Sequence, residues 1–440
     1  MATIAPEQAA VPAWPATGKA WSLVALLTLA YVFSFVDRYI LGLLIEPIKA
    51  DIRLTDAQIG LLLGPAFALF YATMGVPLGW LADRKRRTWL VAAGVALWSL
   101  ATAASGLAKS FLHLFVARMS VGIGEATLSP AAMSMIGDSF PPERRGKPVA
   151  VYSAALSLGA GLASLIGALV LTWAKTSEGL DLPLIGAVRP WQFAFIAVGL
   201  PGLLIAVGFL FVGEPPRQQP VARGAKGPTL GDALRTVGRD KGAFLGVVSL
   251  VCVMTIIAYS HGFIPSGFAR RYGWEPKDYA LINGLMILAL GPATVASVGV
   301  LADRWRKAGI ADAPFRLLAA GFVAMLPVNA LALFMPTPVL ALVFLGLGTV
   351  TIGTVTAAGI IVLLDITPAA VRGQVVALYY MAISIAGLGL GPTTVGYFST
   401  AVFGEGQLHA AIGVVPVIYG LIPLLLLPAI RRAYLRRLAG

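Results

Sequence analysis

Apolar positions dominate twelve stretches of the chain: 20–46, 57–82, 88–108, 110–137, 147–174, 190–213, 243–271, 279–302, 315–334, 338–365, 371–398 and 408–430. Short polar segments separate them, shortest between the third and fourth and between the ninth and tenth. About 20 apolar residues are enough for a helix to cross roughly 30 Å of hydrocarbon. In lipid a spanning segment must satisfy its own backbone hydrogen bonds, which a helix does. The pattern predicts an all-α integral membrane protein with twelve transmembrane helices.

Composition agrees and charge orients the helices. The 440 residues are 58% hydrophobic and only 12% charged, with a mean hydropathy of +0.84, far more apolar than a soluble domain. The net charge of +13 invites a nucleic-acid reading. Its distribution argues against one: 23 of the 33 Lys and Arg residues fall on the side of the termini, 8 on the other side and 2 inside spans. The basic runs "DRKRR" (83–87), "ERRGK" (143–147), "DRWRK" (303–307) and "RRAYLRR" (431–437) all share the terminal side. By the positive-inside rule both termini are expected in the cytoplasm, with no nucleic-acid partner. The single Cys252 lies in a span, so neither a disulfide framework nor a cysteine metal site is expected. "MATIAPEQAAVPAWPATG" (1–18) lacks the basic-then-apolar order of a signal peptide and reads as a disordered tail.

The chain also repeats itself. "GWLADRKRR" (79–87) ends helix 2, and "GVLADRWRK" (299–307) ends helix 8. "DSFPPERRGKPVAVYSAALSL" (138–158) and "DITPAAVRGQVVALYYMAISI" (365–385) align Asp138, Arg145, Gly146 and Tyr152 with Asp365, Arg372, Gly373 and Tyr379. Internal repeats of this kind mark transporter architectures. The expected organisation is a six-helix bundle at 19–213, a cytoplasmic linker at 214–242 with a short surface helix near 229–237, and a second bundle at 243–440.

Two parallel six-helix halves, each with Gly-x-x-x-Asp-Arg after its second helix, resemble the major facilitator superfamily over residues 19–435. Asp83, Arg84 and Arg87 match its cytoplasmic loop motif, although Lys85 and Arg86 depart from the usual pattern there. "RMSVGIGEA" (118–126) is similar to its helix-4 motif. "VDRYILGLLIEPIKADIRLTDAQIGLL" and "GIGEATLSPAAMSMIGDSFPPERRG" further resemble the Spinster family in its bacterial form. The resemblance implies alternating access, helices 1 and 4 facing each other within the first bundle and lining a central cavity, a bacterial inner-membrane location and a monomer.

Four carboxylate or guanidinium residues stand well inside the spans: Asp37, Arg38, Arg118 and Glu125. A charge at the bilayer centre costs roughly 2.5–3.5 kcal/mol on insertion scales, so such residues are functional candidates. Arg118 and Glu125, seven apart, share one helical face. Arg38 is expected to pair with Glu125 and, with Arg118 and His261, to bind a substrate headgroup. A structural clamp between helices 1 and 4 is the alternative. Asp37 points about 100° away from Arg38 and is expected to carry the coupled proton together with Glu125; a capped structural Asp is the alternative. Helix 10 offers only neutral Thr349, Thr351, Thr354 and Thr356, so a charged first half faces an uncharged second half. At the terminal side Asp83, Arg84, Arg87, Asp138 and Arg145, with Asp303, Arg304, Asp365 and Arg372, are expected to link the two halves as a conformational gate.

The Gly-rich "GLGLGPTTVG" (387–396) and "GAGLASLIG" (159–167) lack phosphate-loop spacing and read as helix packing. No Gly-x-Ser-x-Gly or His-Glu-x-x-His suggests an enzyme, and no cofactor or metal is expected. Two readings of function remain. One is a proton-coupled transporter of an amphipathic anionic lipid such as a lysophospholipid or a sphingosine-1-phosphate-like molecule. The other is a proton-linked porter or exporter of small organic anions or drugs.

Overall fold

The computed structural model describes residues 13–176, 181–182, 186–218 and 230–439. Twelve helices are long and apolar enough to cross a membrane: Thr17–Leu43, Asp56–Arg84, Arg87–Ser105, Phe111–Ser139, Leu158–Thr176, Pro190–Phe211, Lys241–Tyr272, Pro276–Lys307, Ala313–Phe334, Pro338–Ile366, Ala369–Phe403 and Glu405–Leu438. They are spans 1 to 12 below. An even number of crossings brings both chain ends to one side, here the terminal face; the other is the opposite face. Of the expected tail 1–18, residues 1–12 lie outside the described residues, and helix begins at Thr17. Of the expected linker, 219–229 also lie outside them, and the surface helix is Leu230–Arg239. Span 12 runs to Leu438 rather than 430. Its basic tail is anchored there: Arg431 donates to Asp312 at 2.6 Å and Tyr434 to Asp365 at 2.9 Å.

Four spans are broken where the cavity and its closure need them to be. Span 2 is two helices, Asp56–Leu63 and Pro65–Arg84, interrupted at Gly64, with Pro65 starting the second. Span 4 breaks between Glu125 and Leu128. Span 7 passes through a 3-10 turn at His261–Phe263 before Pro265 restarts it. Span 11 ends in a π-helical segment, Phe398–Phe403. Breaks at Gly, Pro and π turns are the physical means of bending a membrane helix, since the freed backbone groups are satisfied by neighbours.

Packing within each half is aromatic and aliphatic. Phe67, Trp98, Phe195 and Phe209 are fully buried in the first half, and Phe244, Phe263, Phe268, Phe315 and Phe322 in the second. The halves meet most closely toward the opposite face, where span 2 lies against span 11. At Gly60 a Cβ would sit 2.5 Å from the Pro392 carbonyl oxygen, so only glycine allows the two backbones to approach this far.

Candidate functional site

A cavity of about 380 Å³ lies between the halves at mid-depth. Spans 1, 2, 4 and 5 line one side, and spans 7, 8, 10 and 11 the other. Its only charged wall residues are Arg38 and Arg118.

The two guanidinium groups are held differently. Arg38 donates through Nε to Glu125 Oε2 at 2.8 Å and through Nη2 to the same oxygen. Its side chain is 14% exposed, and Glu125 behind it is 1% exposed. Span 4 can place Glu125 there because Gly122 gives it close contact with span 2, its would-be Cβ standing 2.6 Å from the Phe67 carbonyl oxygen. Arg118 has no carboxylate in its hydrogen bonds: it donates to the backbone carbonyls of Asp37 at 3.2 Å and Leu62 at 3.4 Å. Both guanidinium carbons face the Phe67 ring, at 4.5 Å for Arg38 and 5.6 Å for Arg118. The Tyr71 ring, stacked on Phe67, lies 5.3 Å from the Arg38 guanidinium carbon. An aromatic face supports a cation without neutralising it, which leaves Arg118 able to accept an anionic ligand.

His261 also lines the cavity, from the 3-10 turn in span 7. Thr349 and Thr356 line it from span 10, with hydroxyls bonded to their own helix at Leu345 and Ile352. The second half therefore contributes no charge to the wall. Asp37 does not line the cavity. It is 2% exposed, packed behind the wall, and Arg118 touches its backbone rather than its carboxyl.

The terminal-face residues link segments inside each half rather than joining the halves. Arg87 is fully buried and donates to Asp138, to Glu214 at 2.7 Å, to Ser134 at 2.8 Å and to the Pro215 carbonyl at 2.8 Å. Arg145 binds the Phe140 carbonyl at 2.8 Å. Arg84 stacks on Trp80 at 4.0 Å, and Asp83 is exposed. In the second half Asp365 pairs with Arg306 rather than with Arg304 or Arg372. Asp303, Arg304 and Arg372 are exposed. Burial favours the neutral form of Glu214, but the Thr88 backbone N–H and the Arg87 guanidinium outweigh it and hold the carboxyl below the usual range. The expected gate across the terminal face is therefore not made in this conformation.

All ion pairs that cross between the halves, among the described residues, lie at the opposite face instead. Asp56, fully buried, accepts from Arg270 at 2.6 and 2.8 Å, from Ser399 at 2.6 Å and from Lys49. Arg270 also donates to Glu46 at 2.8 Å, and Lys49 to Glu405 at 2.6 Å. The Asp56 backbone N–H reaches Glu405 at 2.7 Å. Glu46, Lys49 and Asp56 belong to the first half; Arg270, Ser399 and Glu405 belong to the second. The remaining pair, Lys175–Glu275 at 2.7 Å, is about half exposed on both sides and contributes little. The sequence reading passed over this cluster because its acids look like ordinary loop charges. The available signal was the capping box of Thr55 and Gln58, which fixes Asp56 at a helix start.

Comparison with known proteins accords with this architecture. Residues 27–352 match the model of the Major Facilitator Superfamily. An MFS-type efflux pump of Mycolicibacterium smegmatis is 31% identical over 76% of this chain and 74% of its own length. Protein spinster of Drosophila melanogaster is 25% identical over 65% of this chain and 46% of its own. A bacterial homologue of the human lysosomal transporter Spinster, solved inward-facing and unoccupied, superposes with a TM-score of 0.83 at 24% identity, covering 96% of this chain and 99% of that one. Twelve apolar spans, a cavity between two halves and these matches make the chain a multi-pass membrane transporter. It belongs to the Major Facilitator Superfamily, with Spinster proteins among its relatives.

Proposed function

We propose that this transporter moves an amphipathic anionic lipid, of the lysophospholipid or sphingosine-1-phosphate type, in exchange or company with protons. The carrying observation is the wall chemistry: two guanidinium groups and no carboxylate face the cavity, and Arg118 has only backbone carbonyls for partners. Guanidinium suits phosphate and carboxylate in a bidentate grip. The headgroup would sit on Arg118 and Arg38 with His261 opposite, and the tail along the uncharged wall of spans 8 and 10.

Positive charge on the terminal face supports cytoplasmic termini. On that orientation the opposite-face cluster is an outer seal, and the cavity is in its inward-facing state. Alternating access then requires the Asp56–Arg270 connection to break, while the terminal-face acids and bases become available to one another. Glu125 is the proton carrier nearest the wall, since protonating it would release Arg38 for the headgroup. Asp37 is a second proton site behind it. The protein would work as a monomer in the bacterial inner membrane. The efflux-pump relative supports the second reading, export of small organic anions or drugs.

Proteoliposomes carrying a pH-sensitive dye, with a panel of lysophospholipids, sphingosine phosphates, sugar acids and cationic dyes, test the proposal. Wild type should move lipid and protons together, and Glu125→Gln should abolish the proton signal. Arg118→Gln should weaken apparent lipid affinity at least about tenfold, the size of a lost charged hydrogen bond. Flux with sugar acids or dyes alone would select the second reading, and lipid uptake without protons would leave a uniporter.

A further inference from the structure

Behind the cavity wall, the Asp37 carboxyl of span 1 has hydroxyl neighbours on span 3 to which the transport reading gives no role. Asp37 Oδ1, Ser99 Oγ and Thr102 Oγ1 are all buried without a hydrogen-bond partner. Their residues are 2%, 1% and 1% exposed. The Thr102 hydroxyl stands within reach of the Asp37 carboxyl, but the two do not meet in well-formed hydrogen-bond geometry. Ser99 is one turn earlier on the same face of span 3 and packs against Gly202 of span 6.

Buried polar atoms are nearly always satisfied, so an orphan carboxyl oxygen beside an orphan hydroxyl calls for a reason. A hydroxyl differs from an amide or an ammonium in that it both donates and accepts. Next to an ionised carboxylate it donates; next to a protonated carboxyl it accepts the acid proton. A backbone N–H can only donate to the carboxyl, and a carbonyl can only accept from its protonated form. The other charged groups around Asp37 are Arg118 and Glu125 of span 4 and Arg38 of its own helix. The guanidinium groups among these can only donate to the Asp37 carboxyl, whereas a hydroxyl switches between donating and accepting by rotating its O–H.

We infer that Thr102 is a positioning residue for the proton on Asp37, holding the carboxyl in place through both of its protonation states. The inference rests on the reading of Asp37 as a proton site.

Infrared difference spectroscopy on the full-length protein in nanodiscs tests it without a transport substrate. The carbonyl-stretch band of a protonated carboxylic acid is followed against pH and assigned to Asp37 by its loss in Asp37→Asn. Thr102→Val keeps the side-chain shape and removes the hydroxyl; Thr102→Ser keeps the hydroxyl. In Thr102→Val the assigned band should move to higher frequency and its titration midpoint should rise by about one pH unit, a tenfold change in proton affinity. Thr102→Ser should overlay wild type. An Asp37 band with the same frequency and midpoint in Thr102→Val would overturn the role of Thr102 and leave the proton reading standing. Absence of any titrating Asp37 band would overturn both.

Discussion

Asp56→Asn should open the opposite face. The substitution removes one charge and keeps the side-chain shape. Asp56 is fully buried and is the shared acceptor of Arg270, Lys49 and Ser399. Removing one partner of a buried ion pair costs about 3–5 kcal/mol. Here Arg270 and Lys49 are 16% and 12% exposed and keep Glu46 and Glu405 as partners, which reduces the loss to about 2–3 kcal/mol. The Arg270 and Ser399 contacts, which carry most of that energy, cross between the halves and are lost only in the sealed conformation; Lys49–Asp56 lies within the first half. The energy corresponds to a shift of about 30- to 150-fold in a two-state equilibrium. A protein with 1 in 100 molecules open at this face would reach about one in four at the lower bound. The assay is a pulsed electron-electron distance measurement between spin labels at Lys109→Cys and Pro336→Cys, both exposed at the opposite face, in a Cys252→Ala background. A second, longer distance should appear in Asp56→Asn. A distribution indistinguishable from wild type would refute the reasoning, for it would mean that apolar packing of spans 2 and 11 holds the seal without the charges.

Gly60→Ala tests that packing separately. Its new Cβ would meet the Pro392 carbonyl oxygen at 2.5 Å, and overpacking of this kind costs about 1–3 kcal/mol; the same labels should again report a longer distance, although every charged residue of the cluster is still present. At the terminal face, Glu214 has a folded proton affinity below its unfolded one, so its contribution to stability is present above the unfolded carboxylate range and lost as pH falls through the lower folded value. Melting of the detergent-solubilised protein should drop more steeply below about pH 4 in wild type than in Glu214→Gln, which should start lower at neutral pH. Identical pH profiles would detach the Arg87–Glu214 connection from stability.

Much was legible from the sequence for a physical reason: lipid imposes helix on every spanning segment, so length and hydropathy suffice to find the spans. The duplicated motifs gave the two halves, and the exposure penalty of a mid-membrane charge singled out Asp37, Arg38, Arg118 and Glu125. The Arg38–Glu125 pairing followed from helical register once helices 1 and 4 were set opposite each other. Register also separated Asp37 from Arg38, but it did not reveal that Asp37 turns away from the cavity toward Thr102.

The sequence by itself determined the class of protein, the number of spans and the pseudo-symmetry, and it singled out the charges inside the spans. Only the tertiary structure decided which end is closed and by what. Glu46, Lys49 and Asp56 stand more than 200 residues from Arg270, Ser399 and Glu405, and nothing local to either segment signals the other. The same holds for Arg87, whose partners Asp138 and Glu214 come from two further segments. Hydropathy and register are properties of one helix at a time. A seal is a property of how two halves are tilted, and one sequence must support both tilts to transport anything.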